Sequence, residues 1–321
     1  METIEMRKKS QNDTEVHQVA KPKILVADPL PDSSLDKLRV AATVDTTYKL
    51  SKEALIEKIR DYEGLVVRSE TKVTKEIIDS GTRLKVVARA GVGVDNIDVE
   101  AATQKGIIVI NSPEGNTLAA AEHTMAMMLS LTRKIPQADA SLKRGEWERG
   151  KFVGAELYGK TLGIVGLGRI GREVASRAES FKMNVVGYDP YVNETYAAEM
   201  GARLLPLDEL LKISDFVTLH LPIKPETENL LNAERLALMK PGSFLINCAR
   251  GGLIDEKALY ESLKSGHLAG AAIDVFAKEP PPKDLPLFTL TNVVTTPHLG
   301  ASKLINDISY DILKLEVLRW L

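Results

Sequence analysis

The feature that most constrains the fold of this chain is the run TLGIVGLGRIG at residues 161–171. A strand-like apolar segment leads into closely spaced glycines, and a helix-forming stretch follows them. Gly166 permits a tight turn, Gly168 lets a pyrophosphate approach the backbone, and Gly171 lets the helix pack close to the strand. The N–H groups at the start of that helix attract a phosphate anion. The run therefore predicts the phosphate-binding turn of a dinucleotide-binding fold.

An acidic residue at the end of the next predicted strand supports this interpretation. The strand-like run NVVGYD ends in Asp189, which is 21 residues after Gly168. A carboxylate at about this spacing binds the ribose diol of a dinucleotide. The same charge would repel a 2′-phosphate, and the next three residues include no arginine to offset it. The sequence therefore predicts NAD rather than NADP as the cofactor.

The composition is that of a globular protein with about two domains. The chain has 321 residues, a formal net charge of -2, 44% hydrophobic residues and 27% charged residues. This near-neutral balance predicts no nucleic-acid or membrane partner, and no apolar stretch is long enough to span a membrane. The single cysteine, Cys248, excludes a disulfide framework and fits a reducing compartment. No spacing of His, Asp and Glu resembles a metal site, so we expect no metal. Because the cysteine usage fits a reducing compartment, we expect a cytoplasmic protein.

Apolar runs alternate with helical stretches along the chain, which indicates an α/β fold whose parallel sheets are covered on both faces. A first set of strand-like runs comprises KILVAD (23–28), GLVVRS (64–69), LKVVARAG (84–91) and GIIVIN (106–111). A second set comprises TLGIVG, NVVGYD, DFVTLHL (215–221), SFLINC (243–248), AGAAIDV (269–275) and NVVTTP (292–297). Six such runs match the strand number of a dinucleotide-binding sheet. Between the sets, the Ala- and Met-rich stretch 116–135 predicts one long helix.

This pattern predicts two doubly wound parallel-sheet domains after a polar tail. We expect a disordered tail over 1–21, because its charges are mixed and it lacks an apolar signal core. The substrate-binding domain is predicted to comprise 22–115 and 300–321. The Rossmann NAD-binding domain is predicted to comprise 116–299.

Polar residues follow three strands of the second set, at the edge where ligands bind an open α/β sheet. Arg250 follows one strand in NCARGG, and His298 follows the last strand in TTPHLGA. Asp274 and Glu279 lie between them in DVFAKEP. Oxidation of a 2-hydroxy acid requires a base for the hydroxyl proton, a carboxylate that tunes the base and an arginine that binds the substrate carboxylate. Each residue alone has an ordinary surface explanation, but together they predict an active site.

The chain also resembles the NAD-dependent D-2-hydroxy-acid dehydrogenase family, from about residue 23 to residue 302. The matching stretches are VVRSETKVT (66–74), ARAGVGVDNIDVEAAT (88–103), NSPEGNTLAAAEHT (111–124), GEWERGKFVGAELYGKTLGIVGLGRIG (145–171), NCARGGLIDE (247–256), AAIDVFAKEPP (271–281) and TTPHLGAS (295–302). This resemblance implies a flavodoxin-like substrate domain beside the Rossmann domain.

The resemblance implies that Arg250, Glu279 and His298 are the catalytic residues, with His298 as the acid–base group. It implies that His220 lines the adenosine side, and that Cys248 is a wall of the cofactor pocket rather than a nucleophile. With the glycine turn included, the expected NAD-binding residues are Gly166, Gly168, Arg169, Ile170, Gly171, Asp189, His220, Cys248, Ala249 and Asp274.

A glycine-bearing loop in the first domain is the candidate for the substrate. Its backbone N–H groups at 91–93 would bind the substrate carboxylate, although a plain turn is the alternative. Arg68 is the best candidate for a substrate phosphate, and some relatives carry a second arginine where this chain has Glu70. The expected substrate-binding residues are Arg68, Arg89, Gly91, Val92, Gly93 and Asn116.

Within the family, the resemblance implies oxidation of D-3-phosphoglycerate to 3-phosphohydroxypyruvate, the first step of phosphorylated serine biosynthesis. The alternatives are a glyoxylate, hydroxypyruvate or other D-2-hydroxy-acid reductase, and a non-catalytic NAD-binding scaffold. The resemblance further implies a homodimer with Trp147 at its interface.

After Ser302 the sequence departs from the family's pattern. Leu304, Ile308, Ile312 and Leu315 fall on one helical face and predict a helix that packs on the first domain. No regulatory domain that binds a small molecule is expected.

Overall fold

The structure is a computed structural model, and it describes residues 21–112, 115–302, 317 and 319–321. Nearly all of the predicted tail and the helix predicted over 304–315 lie outside the described residues. The described residues divide into two compact units. The first unit comprises 21–90, 94–111 and the described residues after 316, and the second comprises 91–93, 112 and 115–302.

The first unit contains a parallel sheet of five strands within its described residues. The strands are β1 (Lys23–Val26), β2 (Thr43–Thr46), β3 (Gly64–Val67), β4 (Val86–Arg89) and β5 (Ile108–Asn111). They lie in the order β2-β1-β3-β4-β5, which is the flavodoxin-like order. The fold predicted for this part of the chain is therefore confirmed. The sequence analysis missed β2, because TVDT is a largely exposed edge strand without a continuous apolar run.

Helices cover both faces of this sheet. They are α1 (Asp32–Arg39), α2 (Lys52–Lys58), α3 (Lys75–Ser80) and α4 (Val99–Gln104), with a 3-10 turn at Ile59–Asp61. Residues along each strand alternate between the two layers, so Leu25 packs with α2, α3 and α4, whereas Ile24 packs with α1. Val317, near the end of the chain, is buried in the same layer as Ile24.

The second unit contains a larger parallel sheet, and its described part has seven strands. They are β6 (Thr161–Val165), β7 (Asn184–Tyr188), β8 (Arg203–Leu204), β9 (Phe216–Leu219), β10 (Phe244–Asn247), β11 (Gly270–Ile273) and β12 (Val293–Thr295). Their order is β12-β11-β10-β9-β6-β7-β8, which extends the Rossmann arrangement by one strand. The prediction of six strands was wrong by one, because β8 is a two-residue edge strand with too short an apolar signal.

The helices of the second unit again lie on both faces of its sheet. They are α5 (Thr117–Thr132), α6 (Ile135–Lys143), α7 (Arg169–Ser180), α8 (Glu194–Glu199), α9 (Leu207–Ile213), α10 (Ala233–Leu238) and α11 (Glu256–Lys264). Two 3-10 turns lie at Arg149–Phe152 and Pro286–Thr289. The side chains of α5 and α7 share one apolar core, and those of α9, α10 and α11 share the other. No helix in the described part of the chain combines the length and apolarity needed to cross a membrane.

The single helix predicted over 116–135 corresponds to α5, which ends three residues before the predicted end, and only Ile135 falls in the next helix, α6. Lys134, between α5 and α6, has a left-handed backbone with φ 52°. This conformation cannot continue a right-handed helix. Pro136 then lies in the first turn of α6, where its missing N–H costs no hydrogen bond.

Candidate active site

The glycine turn after β6 has the geometry that a phosphate-binding loop requires. Gly166 has φ 101°, and a Cβ atom there would lie 2.5 Å from the carbonyl oxygen of His220. A Cβ atom on Gly171 would lie 2.0 Å from the carbonyl oxygen of Gly166, so α7 packs directly against the turn. Any larger residue at either position would force the backbone apart.

Asp189 holds this turn by its carboxylate. One oxygen accepts the N–H of Leu167 and the other accepts the N–H of Tyr191, each at 2.9 Å. A carboxylate has further acceptor positions, so Asp189 can still accept hydroxyl donors. Among the described residues, a Cβ atom on Gly168 would meet no atom within 4 Å, so the space before the start of α7 is open. The open helix end and the acceptor beside it fit a dinucleotide.

The other residues predicted to bind NAD lie around the same edge of the sheet. Arg169 is the first residue of α7 and is exposed, whereas Ile170 packs partly against the core. Ala249 follows β10, and its N–H donates to Asn247 Oδ1 at 3.1 Å. Their contacts with NAD stay predictions.

His220 follows β9 and lies against the glycine turn. Burial lowers its pKa to about 4, and its Nε2 atom lies 3.1 Å from Thr218 Oγ1. The folded protein therefore keeps this imidazole neutral at pH values where the unfolded chain protonates it.

A His220→Gln variant is expected to weaken the acid sensitivity of the fold. As the pH falls from 6.5 to 4, the unfolded state takes up a proton at His220 that the folded state does not, so the free energy of unfolding falls. Between pH 7 and pH 5 this contribution is at most about 2 kcal/mol in the wild type, and it should vanish in the variant. Urea unfolding of both proteins at the two pH values measures the difference. An identical pH dependence in both would contradict the expectation.

His298 and Glu279 form a hydrogen-bonded pair. The Nδ1 atom of His298 lies 2.7 Å from Glu279 Oε2, and the other carboxylate oxygen accepts the N–H of Phe276 at 3.1 Å. Since Nδ1 faces the carboxylate, Nε2 is the ring nitrogen left for proton transfer. Both side chains are partly exposed, which allows contact with a substrate.

The charge of Glu279 is maintained by its neighbours. Burial alone raises the pKa of the Glu279 carboxyl, but the hydrogen bonds from His298 and Phe276, with the charges of His298 and Arg250, lower this pKa below its ordinary value. The hydrogen bond to His298 is therefore charge-assisted at neutral pH. It is lost only as the pH falls through the lowered pKa of Glu279.

Arg250 lies close to this pair because its loop packs against the loop that carries Glu279. A Cβ atom on Gly251 would lie 1.8 Å from the carbonyl oxygen of Phe276, so only glycine allows the two loops to approach. Asn247 shapes the loop by donating from Nδ2 to the carbonyl oxygen of Arg250 at 2.9 Å. The structure thus brings the three predicted catalytic residues to one edge of the sheet.

Asp274 anchors the segment that carries His298. Its side chain is 0% exposed, and its carboxylate accepts from Thr296 Oγ1 at 2.5 Å and from the N–H groups of Leu299 and Gly300 at 2.7 and 2.8 Å. In addition, the N–H of His298 donates to the carbonyl oxygen of Asp274 at 2.8 Å. These bonds enclose His298, which has a left-handed backbone with φ 56° that costs about 1–3 kcal/mol. The contact of Asp274 with NAD stays a prediction, whereas its hold on this segment is visible.

One cluster among the described residues has the composition of a metal site. Ligand atoms of His123, Cys248 and Asp274 lie within 4.8 Å of one another. Burial and the nearby charge of Asp274 raise the pKa of the Cys248 thiol, so it stays protonated at neutral pH. The oxygens of Asp274 are already used, one of them also by His123 Nε2 at 3.2 Å. The carboxylate of Asp274 is therefore the centre of a hydrogen-bonded network in this structure.

The residues predicted to bind substrate are distributed over the two units. Arg68 and Arg89 lie in the first unit, at the carboxyl ends of the neighbouring strands β3 and β4, where Arg89 pairs with Val67. Within the second unit, the carbonyl oxygen of Gly91 accepts the N–H of Ser112 at 2.9 Å, and Asn116 precedes α5. Val92 and Gly93 continue the same loop. Their roles stay predictions.

Comparison with known proteins identifies a family and relatives whose sequences match this chain. Residues 125–300 match the model of the D-isomer specific 2-hydroxyacid dehydrogenase, NAD binding domain. D-3-phosphoglycerate dehydrogenase of Methanocaldococcus jannaschii is 57% identical over 281 residues, 87% of this chain and 53% of that protein. The chain spans about half the length of the curated relatives it matches.

Solved structures share the fold over nearly the whole chain. The TT0316 protein of Thermus thermophilus superposes with a TM-score of 0.83 at 38% identity, covering 92% of this chain and 94% of that one. D-Lactate dehydrogenase of Aquifex aeolicus, solved with NAD and lactic acid, superposes with a TM-score of 0.80 at 30% identity, covering 92% and 93% of the two chains.

Proposed function

Because this chain belongs to the D-isomer specific 2-hydroxyacid dehydrogenase family, we propose that it oxidises D-3-phosphoglycerate to 3-phosphohydroxypyruvate with NAD. The observation that carries the proposal is the 2.7 Å hydrogen bond between His298 and Glu279, with Arg250 beside it, at the carboxyl edge of an NAD-binding sheet. The M. jannaschii relative supports the choice of substrate, since it is a D-3-phosphoglycerate dehydrogenase.

Each of the three catalytic residues has a separate role in the reaction. Arg250 binds the substrate carboxylate and orients the C2 hydroxyl toward His298. Nε2 of His298 accepts the hydroxyl proton as the C2–O bond becomes a carbonyl, and Glu279 stabilises the imidazolium that results. Bound NAD supplies the acceptor for the hydride that leaves C2.

The residues of the glycine turn favour NAD over NADP. The N–H groups at the start of α7 would bind the pyrophosphate beside Gly168, where a Cβ atom would meet no described atom within 4 Å. Asp189 presents a carboxylate that accepts ribose hydroxyls and repels a 2′-phosphate. We assign the NAD contacts to the glycine turn, Asp189, His220 and the segment after β10.

For the substrate, we assign the phosphate to Arg68, with Arg89 at the end of the neighbouring strand. The backbone of 91–93 and the side chain of Asn116 are assigned to the carboxylate end of the substrate. Arginine suits a phosphate because its planar guanidinium donates two parallel hydrogen bonds.

A substrate panel tests the function. D-3-phosphoglycerate, D-glycerate and D-lactate are offered with NAD and with NADP, and glyoxylate and hydroxypyruvate are offered with NADH. We expect the highest kcat/KM for D-3-phosphoglycerate with NAD. A higher value for an unphosphorylated acid would instead make the protein a glyoxylate, hydroxypyruvate or lactate enzyme. Tight NADH binding without turnover on any acid would make it a scaffold.

We further propose that the protein is a cytoplasmic homodimer that serves phosphorylated serine biosynthesis. Large apolar side chains are exposed throughout the 118–158 segment of the second unit, and Trp147 is 78% exposed. The others in this segment are Leu118, Ile135, Leu142, Val153 and Tyr158. Exposed apolar area of this kind suits a protein–protein interface. The buried, unpaired Cys248 fits a reducing compartment.

A Trp147→Asp variant is expected to weaken the dimer by about 2 kcal/mol or more, because aromatic side chains dominate the energy of such interfaces. Sedimentation across a concentration series should show a higher monomer fraction than for the wild type. Val40→Asp, at a 73% exposed position of the first unit, is the matched control and should leave the association unchanged. Equal association of all three proteins would place the interface elsewhere.

A further inference from the structure

Two side chains of the first unit hold the loop that presents Arg68. Asp28 follows β1, which pairs with β3, so Asp28 lies beside the start of the loop at 68–71. Its side chain is 2% exposed. One carboxylate oxygen accepts the N–H of Arg68 at 2.5 Å and that of Thr71 at 3.2 Å, and the other accepts the hydroxyl of Thr71 at 2.5 Å.

Asn96 holds the same loop by donating hydrogen bonds to backbone carbonyl groups of the loop. Its Nδ2 atom donates to the carbonyl oxygens of Arg68 and Thr71, each at 2.7 Å. The first and last residues of a four-residue loop are thus fixed by five hydrogen bonds from two side chains. Ser69 and Glu70, between them, are exposed and belong to the loop's outer side.

The negative charge of Asp28 is unfavourable for binding the substrate phosphate, so it does not explain why an aspartate lies here. A buried carboxylate near a phosphate site weakens anion binding by Coulomb repulsion. Its contribution therefore lies in its acceptor geometry. Alanine at this position would remove both acceptor oxygens, so the N–H groups of Arg68 and Thr71 and the Thr71 hydroxyl would lose this partner.

Building on the proposed function, we propose that Asp28 and Asn96 are positioning residues that aim Arg68 at the substrate phosphate. They thereby set the preference for phosphorylated over unphosphorylated D-2-hydroxy acids. Neither side chain needs to touch the substrate, since both act through the backbone of Arg68 and Thr71.

The test is a double-mutant cycle of the wild type, Asp28→Ala, Arg68→Ala and the double variant. Steady-state rates are measured with D-3-phosphoglycerate and with D-glycerate, which lacks the phosphate. Asp28→Ala should raise KM for D-3-phosphoglycerate about tenfold and leave the constants for D-glycerate nearly unchanged. Because Asp28 acts through Arg68, the substitution should have no further effect once Arg68 is alanine.

The opposite results would overturn the proposal. Electrostatics alone predicts that Asp28→Ala lowers KM for the phosphorylated acid, because a repulsive charge is removed. Equal losses on both acids, or additive effects in the cycle, would show a merely structural role. Asp36→Ala, at an exposed position of the same unit, is the matched control and should behave as wild type.

Two further variants keep the proposal testable if Asp28→Ala fails to fold. Asn96→Ala and Thr71→Val each remove part of the same hydrogen-bond set and should raise KM for the phosphorylated acid in the same way. If the wild type prefers an unphosphorylated acid, the proposed function fails. The cycle measured on D-3-phosphoglycerate as a poorer substrate then still shows whether Asp28 acts through Arg68, and a lack of any Arg68→Ala effect on that acid would overturn the positioning role as well.

Discussion

The His298→Gln variant is expected to lose about 10²- to 10⁴-fold in kcat, the usual effect of removing a general base. The reason lies in the pair that His298 forms with Glu279, which leaves Nε2 directed to the substrate proton. Glutamine has no group that accepts a proton at neutral pH. NADH binding, measured by fluorescence titration, should stay at the wild-type level because His298 lies outside the glycine turn.

Folding controls accompany this variant. His298 has a left-handed backbone, which asparagine tolerates better than most residues, so His298→Asn should show the same loss with less strain. His267→Gln makes the same chemical change away from the site and should keep wild-type turnover. A His298→Gln enzyme with near-normal kcat and a normal melting temperature would show that another group carries the proton.

The Asp274→Asn variant is expected to lose activity and stability together. The retained oxygen of asparagine can still accept from Thr296 and Leu299, but its amide nitrogen would face the N–H of Gly300. One buried donor then lacks a partner, which costs about 1–3 kcal/mol. The segment around His298 would relax, and a shift of about 1 Å in a catalytic group can cost about 10²-fold in rate.

Separate readouts distinguish positioning from cofactor binding at Asp274. We expect kcat to fall about tenfold to a hundredfold, and the melting temperature to fall by about 2–10 °C, while the Kd for NADH changes little. A large rise in that Kd with unchanged kcat would instead assign Asp274 to the cofactor. Thr296→Val removes one donor of the same set and should reproduce a smaller part of the loss.

The nucleotide-binding part of the site could be predicted from residues that are close together in the sequence. Gly166, Gly168 and Gly171 lie within six residues, and their roles follow from steric rules that apply in any context. The parallel sheets could also be predicted from the sequence, because buried strands produce continuous apolar runs. Strands β2 and β8 were missed because edge strands need no such run.

The residues that support the Arg68 loop and the His298 segment could not be predicted from local sequence patterns. Asp28 meets Thr71 across 43 positions, and His123 meets Thr296 across 173. Nothing in the neighbouring sequence of Asp28 or Asn96 marks them as partners of the Arg68 loop. Gly251 was likewise visible only as one of two adjacent glycines, and its close approach to Phe276 became evident from the packed loops.

By itself, the sequence determined the α/β class, the dinucleotide turn and which strand ends carry polar side chains, because these depend on short-range sterics and periodic burial. The tertiary structure decided which groups the carboxylates of Glu279 and Asp274 contact. Glu279 faces His298 with exposed surface around it, whereas Asp274 is enclosed and bonded to the backbone of the adjoining segment. Both are carboxylates after the same strand, and only their distant neighbours, brought close by folding, give one a partly exposed imidazole partner and the other a structural task.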